Sequence, residues 1–599
     1  MTDTRRQATV LKALLAVGCL AFAGALVAAY SRPAAGYEIS IYRSTPLGFW
    51  IGGILAGVLG LTVAFSPPAT RGIRAIGLGL ATSVGLAIFA LPLVRGYFFY
   101  GAGDSMTHLG WARELRAGTL SPLEFVYPGI HTMAVYLAEL SGFELTDTLQ
   151  FVPLVVFPVV SVVFTALCVQ YLTDSDWGLP VGVAAGLLLL PINHLSIHLL
   201  AHPSSQAVLF LPLVLYLVLR FVTAPSDGST VGTPIGIALA VVCVGLVFIH
   251  PQEALSLLLL LGGIAVVQLA ASRWRPTSRV ARHRPIYAHA GLTFLVFATW
   301  LPQHDRPIGR IRFVLSQFQD VGVTAGAETT DTQAASLAAV GGSIEELFVK
   351  LFGVALVVSV LAAALMVAAL LGRLDDRSTG QGALVRYLTA GLVPLGLAFL
   401  VVFAADQGDH YFRFLGFIMG PVTILGAVGL VALARRAEGV VSRRTVAAGL
   451  VVVLTVAVAA QAAAMHPSPY YYQSTGHVTE RSMAGHETAF DHRIEDTVFI
   501  SPRDGPRRYV DAYYGTPTID RTEFPGNGVP GPVFNTNIST HYEEDRYLTI
   551  READYEREVE LYDGLRYTAE GFAALERRGN IHRVQDNGGF RLYLIDNEA

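Results

Sequence analysis

A chain of 599 residues that is 53% hydrophobic, only 15% charged and positive in mean hydropathy cannot be one large soluble core; long apolar stretches must lie in a membrane. The net charge of −4 is small but unevenly spread, because about half of the 46 acidic residues follow residue 465, behind the last apolar run. Cys19, Cys168 and Cys243 sit inside apolar runs without metal-ligand spacing, so neither a disulfide framework nor a zinc site is expected.

Crossing the hydrocarbon takes about 20 apolar residues, and on that criterion about thirteen spans are predicted. The first, near 8–30, follows Arg5 and Arg6 and is long enough to be an anchor rather than a cleaved signal. The others fall near 47–66, 75–97, 149–172, 179–199, 205–223, 233–250, 252–272, 287–301, 347–372, 387–405, 413–434 and 445–465. The run Pro128–Gly142 is apolar but short and reads as an interfacial helix. This divides the chain into two N-terminal transmembrane helices (1–74), a transmembrane domain (75–465) and an acidic soluble extracytoplasmic domain (466–599).

Arginine collects on alternate linkers, as cytoplasmic loops require. With the N-terminus inside, Arg71 and Arg74, Arg220, the run from Arg273 to Arg284, Arg373 to Arg386, and Arg435 to Arg444 all land inside. The loop at Asp104, the loop 302–346 and the tail then face outside. In the tail, Thr497–Ile500 and Phe590–Leu594 read as strands and Tyr542–Leu565 as a charged helix, giving a small α/β domain. Asn537 begins a glycosylation sequon.

The stretch Tyr97–His131 carries the densest chemistry. Gly101 and Gly103 allow a sharp turn, and Asp104 and His108, four apart, suit one face of a short helix with Met106, Leu109 and Trp111 against the interface. Further polar residues stand at the external ends of other spans: His131, His198, His202, His250 with Glu253, His304 and Asp305, Arg306, Arg310, Arg312, Asp406, Asp409, His410 and Arg413. Ionisable groups at membrane depth face a cavity or one another. Plainer roles exist for each: Asp104 also suits a helix start, His108 an interfacial position, Arg413 an interfacial anchor. His198 and His202 have a metal-compatible spacing but equally suit a loop beside Pro203, and no metal ligands are assigned.

Gly103–His108, Tyr127–His131, a span ending in Leu200–Pro203 and resuming at Ala207–Leu217, and Tyr411–Pro421 entering a late span together resemble the GT-C superfamily of membrane glycosyltransferases, over roughly residues 75–470. The ending Val584–Tyr593 resembles tails of archaeal proteins of this kind. Neither a Trp-Trp-Asp-Tyr-Gly motif nor an Asp-X-Asp triplet in the first loop is present, against an oligosaccharyltransferase. The resemblance implies a polytopic helical bundle that moves a sugar from a polyprenyl (dolichyl) phosphate carrier to an acceptor glycan or glycoprotein on the outer face of the cell membrane. It implies Asp104 and His108 as catalytic, Arg413, Arg306, Arg310 and Arg312 as binding the donor phosphate, and His131, His202, Asp409 and His410 as binding substrate. The carrier lipid and acceptor are the expected partners, with no nucleic acid; no cofactor is assigned, and a divalent metal stays open. An envelope polysaccharide polymerase or ligase, or a non-enzymatic transporter-like protein, are the alternatives.

Overall fold

The computed structural model describes residues 2–188, 195–225, 232–305, 337–374, 381–404, 410–503, 506–515 and 526–596. The chain is mainly helical, with a mixed β-sheet near its C-terminal end. Among the described residues, 10 helices are long and apolar enough to cross a membrane. They are Arg5–Tyr30, Leu47–Phe65, Arg71–Phe89, Leu145–Thr173, Pro203–Thr223, Pro251–Trp274, Ile344–Leu370, Gln381–Ala404, His410–Ala437 and Arg443–Ala463.

The other three expected spans are also helical, over shorter described lengths: Gly178–Leu187, Pro234–Ile249 and Tyr287–Trp300. Part of the first, residues 189–194, lies outside the described residues. Proline sets the second. Pro251 has no N–H to continue a ladder and holds His250 extended (φ −160°, ψ 123°), so one apolar run breaks into two helices at a corner. His202 and Pro203 repeat the device, with His202 at φ −152° and ψ 93°. Each corner delivers a histidine to the end of a span.

Helix packing relies on small residues, which let backbones approach closely where lipid supplies no hydrophobic drive between helices. A Cβ on Gly182 would stand 2.6 Å from Ala166 Cα, and one on Gly186 would stand 2.7 Å from Val162 Cα. Gly178–Leu187 thereby lies directly on Leu145–Thr173.

Two strands tie the first large loop to the tail. Strand β1 (Phe99–Tyr100) pairs antiparallel with β2 (His477–Val478), Phe99 opposite Val478 and Tyr100 opposite His477. Beyond them lie β3 (Val498–Pro502), β4 (Gly526–Val529), β5 (Arg546–Arg551), β6 (Ile581–Asp586) and β7 (Phe590–Ile595) in the order β4-β3-β5-β7-β6. The first three strands of that order run parallel, and β5–β7 and β7–β6 are antiparallel. Ile500, Phe534, Leu548, Tyr593 and Ile595 form its core.

The tail corrects one expectation. Tyr542–Leu565 is not a charged helix: it contains strand β5 at the sheet centre, a single helical turn Glu552–Tyr555 and a widened turn Glu556–Leu561. Tyr547, Leu548, Thr549 and Ile550 are all buried, and the acidic residues on either side masked that apolar run. Asp554 and Glu558, both fully buried, are held by Arg551, Arg557 and Arg503. The strands expected at Thr497–Ile500 and Phe590–Leu594 are present as β3 and β7, and Pro128–Gly142 forms the helix Gly129–Ser141.

Gly182→Val is expected to push Gly178–Leu187 off its neighbour at a cost of about 1–3 kcal/mol, read as a lower thermal midpoint of the detergent-solubilised chain. Gly79→Val, where an added Cβ meets nothing within 4 Å, should leave the midpoint unchanged. Equal midpoints for both variants would contradict the packing.

Candidate functional site

The Asp104 turn is built by glycine and clamped by backbone. Gly101 (φ +132°) and Gly103 (φ +77°) take conformations that L side chains rarely adopt, and Asp104 opens the helix Asp104–Ala117 directly after them. The amides of Gly101 and Ala102 donate to the Gly476 carbonyl at 2.8 and 3.2 Å, extending the β1–β2 pairing to the edge of the turn. The Asp104 carboxylate is largely exposed and accepts from the guanidinium of Arg508, on the C-terminal helix Arg507–Tyr514.

Asp104 and His108 turn to different partners. His108 is buried and its Nδ1 lies 2.9 Å from His131 Nε2, while His131 Nδ1 lies 3.2 Å from the Tyr127 carbonyl. A carbonyl only accepts, so Nδ1 of His131 carries the proton and its Nε2 accepts from His108 Nδ1–H. This leaves His108 Nε2 as a bare acceptor. Burial holds both imidazoles neutral, pushing His131 down to about 3 and His108 well below its usual value, the latter helped by His131 and Arg508.

The two proline corners bring a second group alongside. Ser205 Oγ accepts from the His198 amide at 2.9 Å and lies 2.9 Å from His202 Nδ1. Its hydroxyl proton can point at that nitrogen, which leaves His202 Nε2–H as a donor. His198 and His202 meet edge to face, ring centres 4.8 Å apart. His250 stacks on Tyr127 at 5.8 Å, and its buried Nδ1 has no hydrogen-bond partner among the described residues. Glu253 is fully buried; Oε1 accepts from Ser204 at 3.0 Å and Oε2 is likewise unpartnered.

Arg413 stands among these groups, one turn into the helix His410–Ala437, and donates to Gln252 Oε1 at 3.3 Å. Its charge acts on His198, His202 and His250, in each case adding to the effect of burial, which is the larger cause of their lowered pKa. His198, pushed down to about 4, feels Asp104 as well, in the opposite sense. One imidazole thus lies within electrostatic reach of both the Asp104 turn and the late arginine. His410 opens the same helix and is half-buried. Arg306, Arg310, Arg312, Asp406 and Asp409 lie outside the described residues. No three His, Cys, Asp or Glu side chains gather as a metal-ligand group among the described residues.

A cavity of about 330 Å³ adjoins the turn. Ala102, His198 and Leu200 line one side; Thr475, His477, Tyr509, Arg551 and Glu552 line the other. His477 stacks on Tyr97 with centres 3.8 Å apart, is pushed down to about 3 by burial, and has no partner for Nδ1 among the described residues. Sequence reasoning missed Arg508, Thr107 and Asp511, which meet across the loop–tail contact. The one trace of them was the basic pair Arg507 and Arg508 within an acidic tail.

No family model matches the sequence, and no curated protein matches it. Among solved structures the chain is similar to ArnT from Cupriavidus metallidurans bound to undecaprenyl phosphate, at 11% identity and a TM-score of 0.44, over 87% of this chain and 98% of that one. The same protein in its apo state gives 11% identity and a TM-score of 0.40 over 88% and 99%. The Archaeoglobus fulgidus oligosaccharyltransferase in complex with Zn and sulfate gives 11% and 0.45 over 87% of this chain and 73% of its own.

The neutral histidines set a pH dependence. With its folded pKa near 3, His131 binds a proton in the unfolded chain before it does in the folded one. Its contribution is complete above about pH 6.5 and is lost as pH falls from there toward 3. His131→Gln should flatten the fall of thermal midpoint over that window by the equivalent of about one proton; an unchanged slope would place His131 in water.

Proposed function

We propose that this chain is an inverting glycosyltransferase that takes a sugar from a polyprenyl-phosphate carrier and passes it to an acceptor on the outer face of the membrane. The observation that carries the reading is that one segment, 196–202, touches both elements. Ser105, next to Asp104, donates to the Ala201 carbonyl at 2.9 Å, and a Cβ on Gly416, in the Arg413 helix, would stand 2.7 Å from Ser196 Cβ. His198 of that segment lines a cavity formed with the tail. An acid open to solvent and a cation at the end of a span are the two groups that this transfer needs on one side of a bilayer.

In this reading Asp104 takes the proton of the acceptor hydroxyl as its oxygen bonds to the anomeric carbon. The bond from that carbon to the carrier's phosphate oxygen breaks, and its electron pair leaves with the polyprenyl phosphate. Arg413 holds the departing phosphate, a task suited to a guanidinium. His202 Nε2–H and His250 are neutral donors beside it, adding hydrogen bonds without a further buried charge. His108, oriented by His131, offers Nε2 to an acceptor or sugar hydroxyl. The cavity receives the acceptor, because tail residues form much of its wall. Asp409 and His410, before Arg413, and Arg306, Arg310 and Arg312 in the loop 302–346 are assigned to the substrate and phosphate from the sequence resemblance. Orientation with the N-terminus inside follows from the arginine-rich linkers.

The test is transfer by the purified full chain in lipid nanodiscs, using a panel of polyprenyl-phosphate hexoses, pentoses and uronic acids, with mass spectrometry of cell glycans to name the acceptor. Asp104→Asn should lower kcat by about 10²–10⁴ while membrane insertion is unchanged. Arg413→Ala should lower kcat/KM by about 10²-fold, with Arg413→Lys recovering part of it. A fully active Asn variant removes Asp104 from the mechanism, and an unaffected Ala variant removes Arg413.

A further inference from the structure

We propose that Arg508, contributed by the C-terminal region, is a positioning residue of this site: its guanidinium fixes the direction of the Asp104 carboxylate toward the acceptor hydroxyl. The proposal rests on the reading of Asp104 as the base. It makes the tail a working part of the site rather than a cover.

The geometry leaves one arrangement of protons. Arg508 Nη2 donates to Asp104 Oδ1, and Nη1 donates to Thr107 Oγ1 at 2.9 Å. Thr107 spends its own proton on Asp511 Oδ2 at 2.7 Å, so its oxygen must accept from Arg508. Asp511 is buried and stands 3.7 Å from Arg508 Nη1, completing the ring of charge. A planar guanidinium donating to two acceptors on one helix cannot rotate without losing both bonds. Asp104 Oδ2 has no partner among the described residues, which leaves that oxygen to take a proton.

Holding the tail to the loop does not need this pair. The helices Asp104–Ala117 and Arg507–Tyr514 touch backbone to backbone, since a Cβ on Gly110 would stand 1.9 Å from the Asp511 carbonyl oxygen. Arg113 donates to the Ala512 carbonyl at 2.9 Å and lies over the Tyr513 ring at 5.2 Å. With Arg508 side chain 36% and Asp104 64% exposed, their pairing adds little to stability. Its consequence is direction. An aspartate opening a helix after two glycines is otherwise free to sample several rotamers, and a base must sit within hydrogen-bond reach of the proton it takes.

The experiment measures kcat and donor KM for Arg508→Ala, Arg508→Lys, Arg113→Ala and Asp104→Asn in the full chain, with the donor the wild type accepts from the panel above. Arg508→Ala should lower kcat about tenfold or more with donor KM within about twofold, and guanidinium ion added in solution should restore part of the rate. Arg508→Lys keeps the charge but loses the fork, and should fall between Ala and wild type at an unchanged thermal midpoint. Arg113→Ala, in the same interface but away from Asp104, should keep kcat within about threefold. If Arg508→Ala fails to fold, Arg508→Lys decides alone. A wild-type kcat in either Arg508 variant, or losses equal to those of Arg113→Ala, would overturn the proposal while an inactive Asp104→Asn keeps the base. An active Asp104→Asn removes the base itself, whatever Arg508 does.

Discussion

The site depends on a short stretch of backbone held from two directions. Membrane helices reach the Asp104 turn on one side, and on the other the two-residue ladder between Phe99–Tyr100 and His477–Val478 ties it to the exit of the last span. The turn itself needs Gly101 and Gly103, whose positive φ angles let the chain leave that ladder and enter a helix within three residues. Arg508 then grips the first side chain of that helix from the tail. Fixing both backbone and side chain at the same point is how a solvent-open carboxylate can be given a defined direction.

The other half of the site follows from proline. His202 and His250 each precede a proline that opens a new helix, so both stand at span ends in extended conformation, and burial keeps them uncharged. Arg413 is placed among neutral imidazoles and an amide. Neutral imidazoles beside a guanidinium add hydrogen-bonding capacity without a further charge to bury. Glu253 is a buried acid in this neighbourhood, with Oε2 unpartnered among the described residues.

Local signals in the sequence read well and distant ones do not. Apolar runs located ten helices of crossing length, glycines marked the Asp104 turn, and Pro128–Gly142 is present as a short helix. Those features are carried by residues a few positions apart. The other three expected spans are present as shorter helices, bounded by proline where His250 and Pro251 end Pro234–Ile249. Strand β5 was hidden because its apolar stretch is flanked by acidic residues that look helical until Arg503, Arg551 and Arg557 neutralise the buried ones. The pairing of Asp104 with Arg508 joins residues 404 positions apart. No periodicity or spacing reports such a contact; only the closed fold brings the two together.

The most direct measurement is a structure of the full chain in lipid with polyprenyl phosphate bound. The phosphate is expected within hydrogen-bond reach of the Arg413 guanidinium, on the side of the bilayer to which Asp104 opens, with a single sugar ring able to bridge the two. A phosphate held at another span, or one separated from Asp104 by the thickness of the membrane, would contradict the shared site.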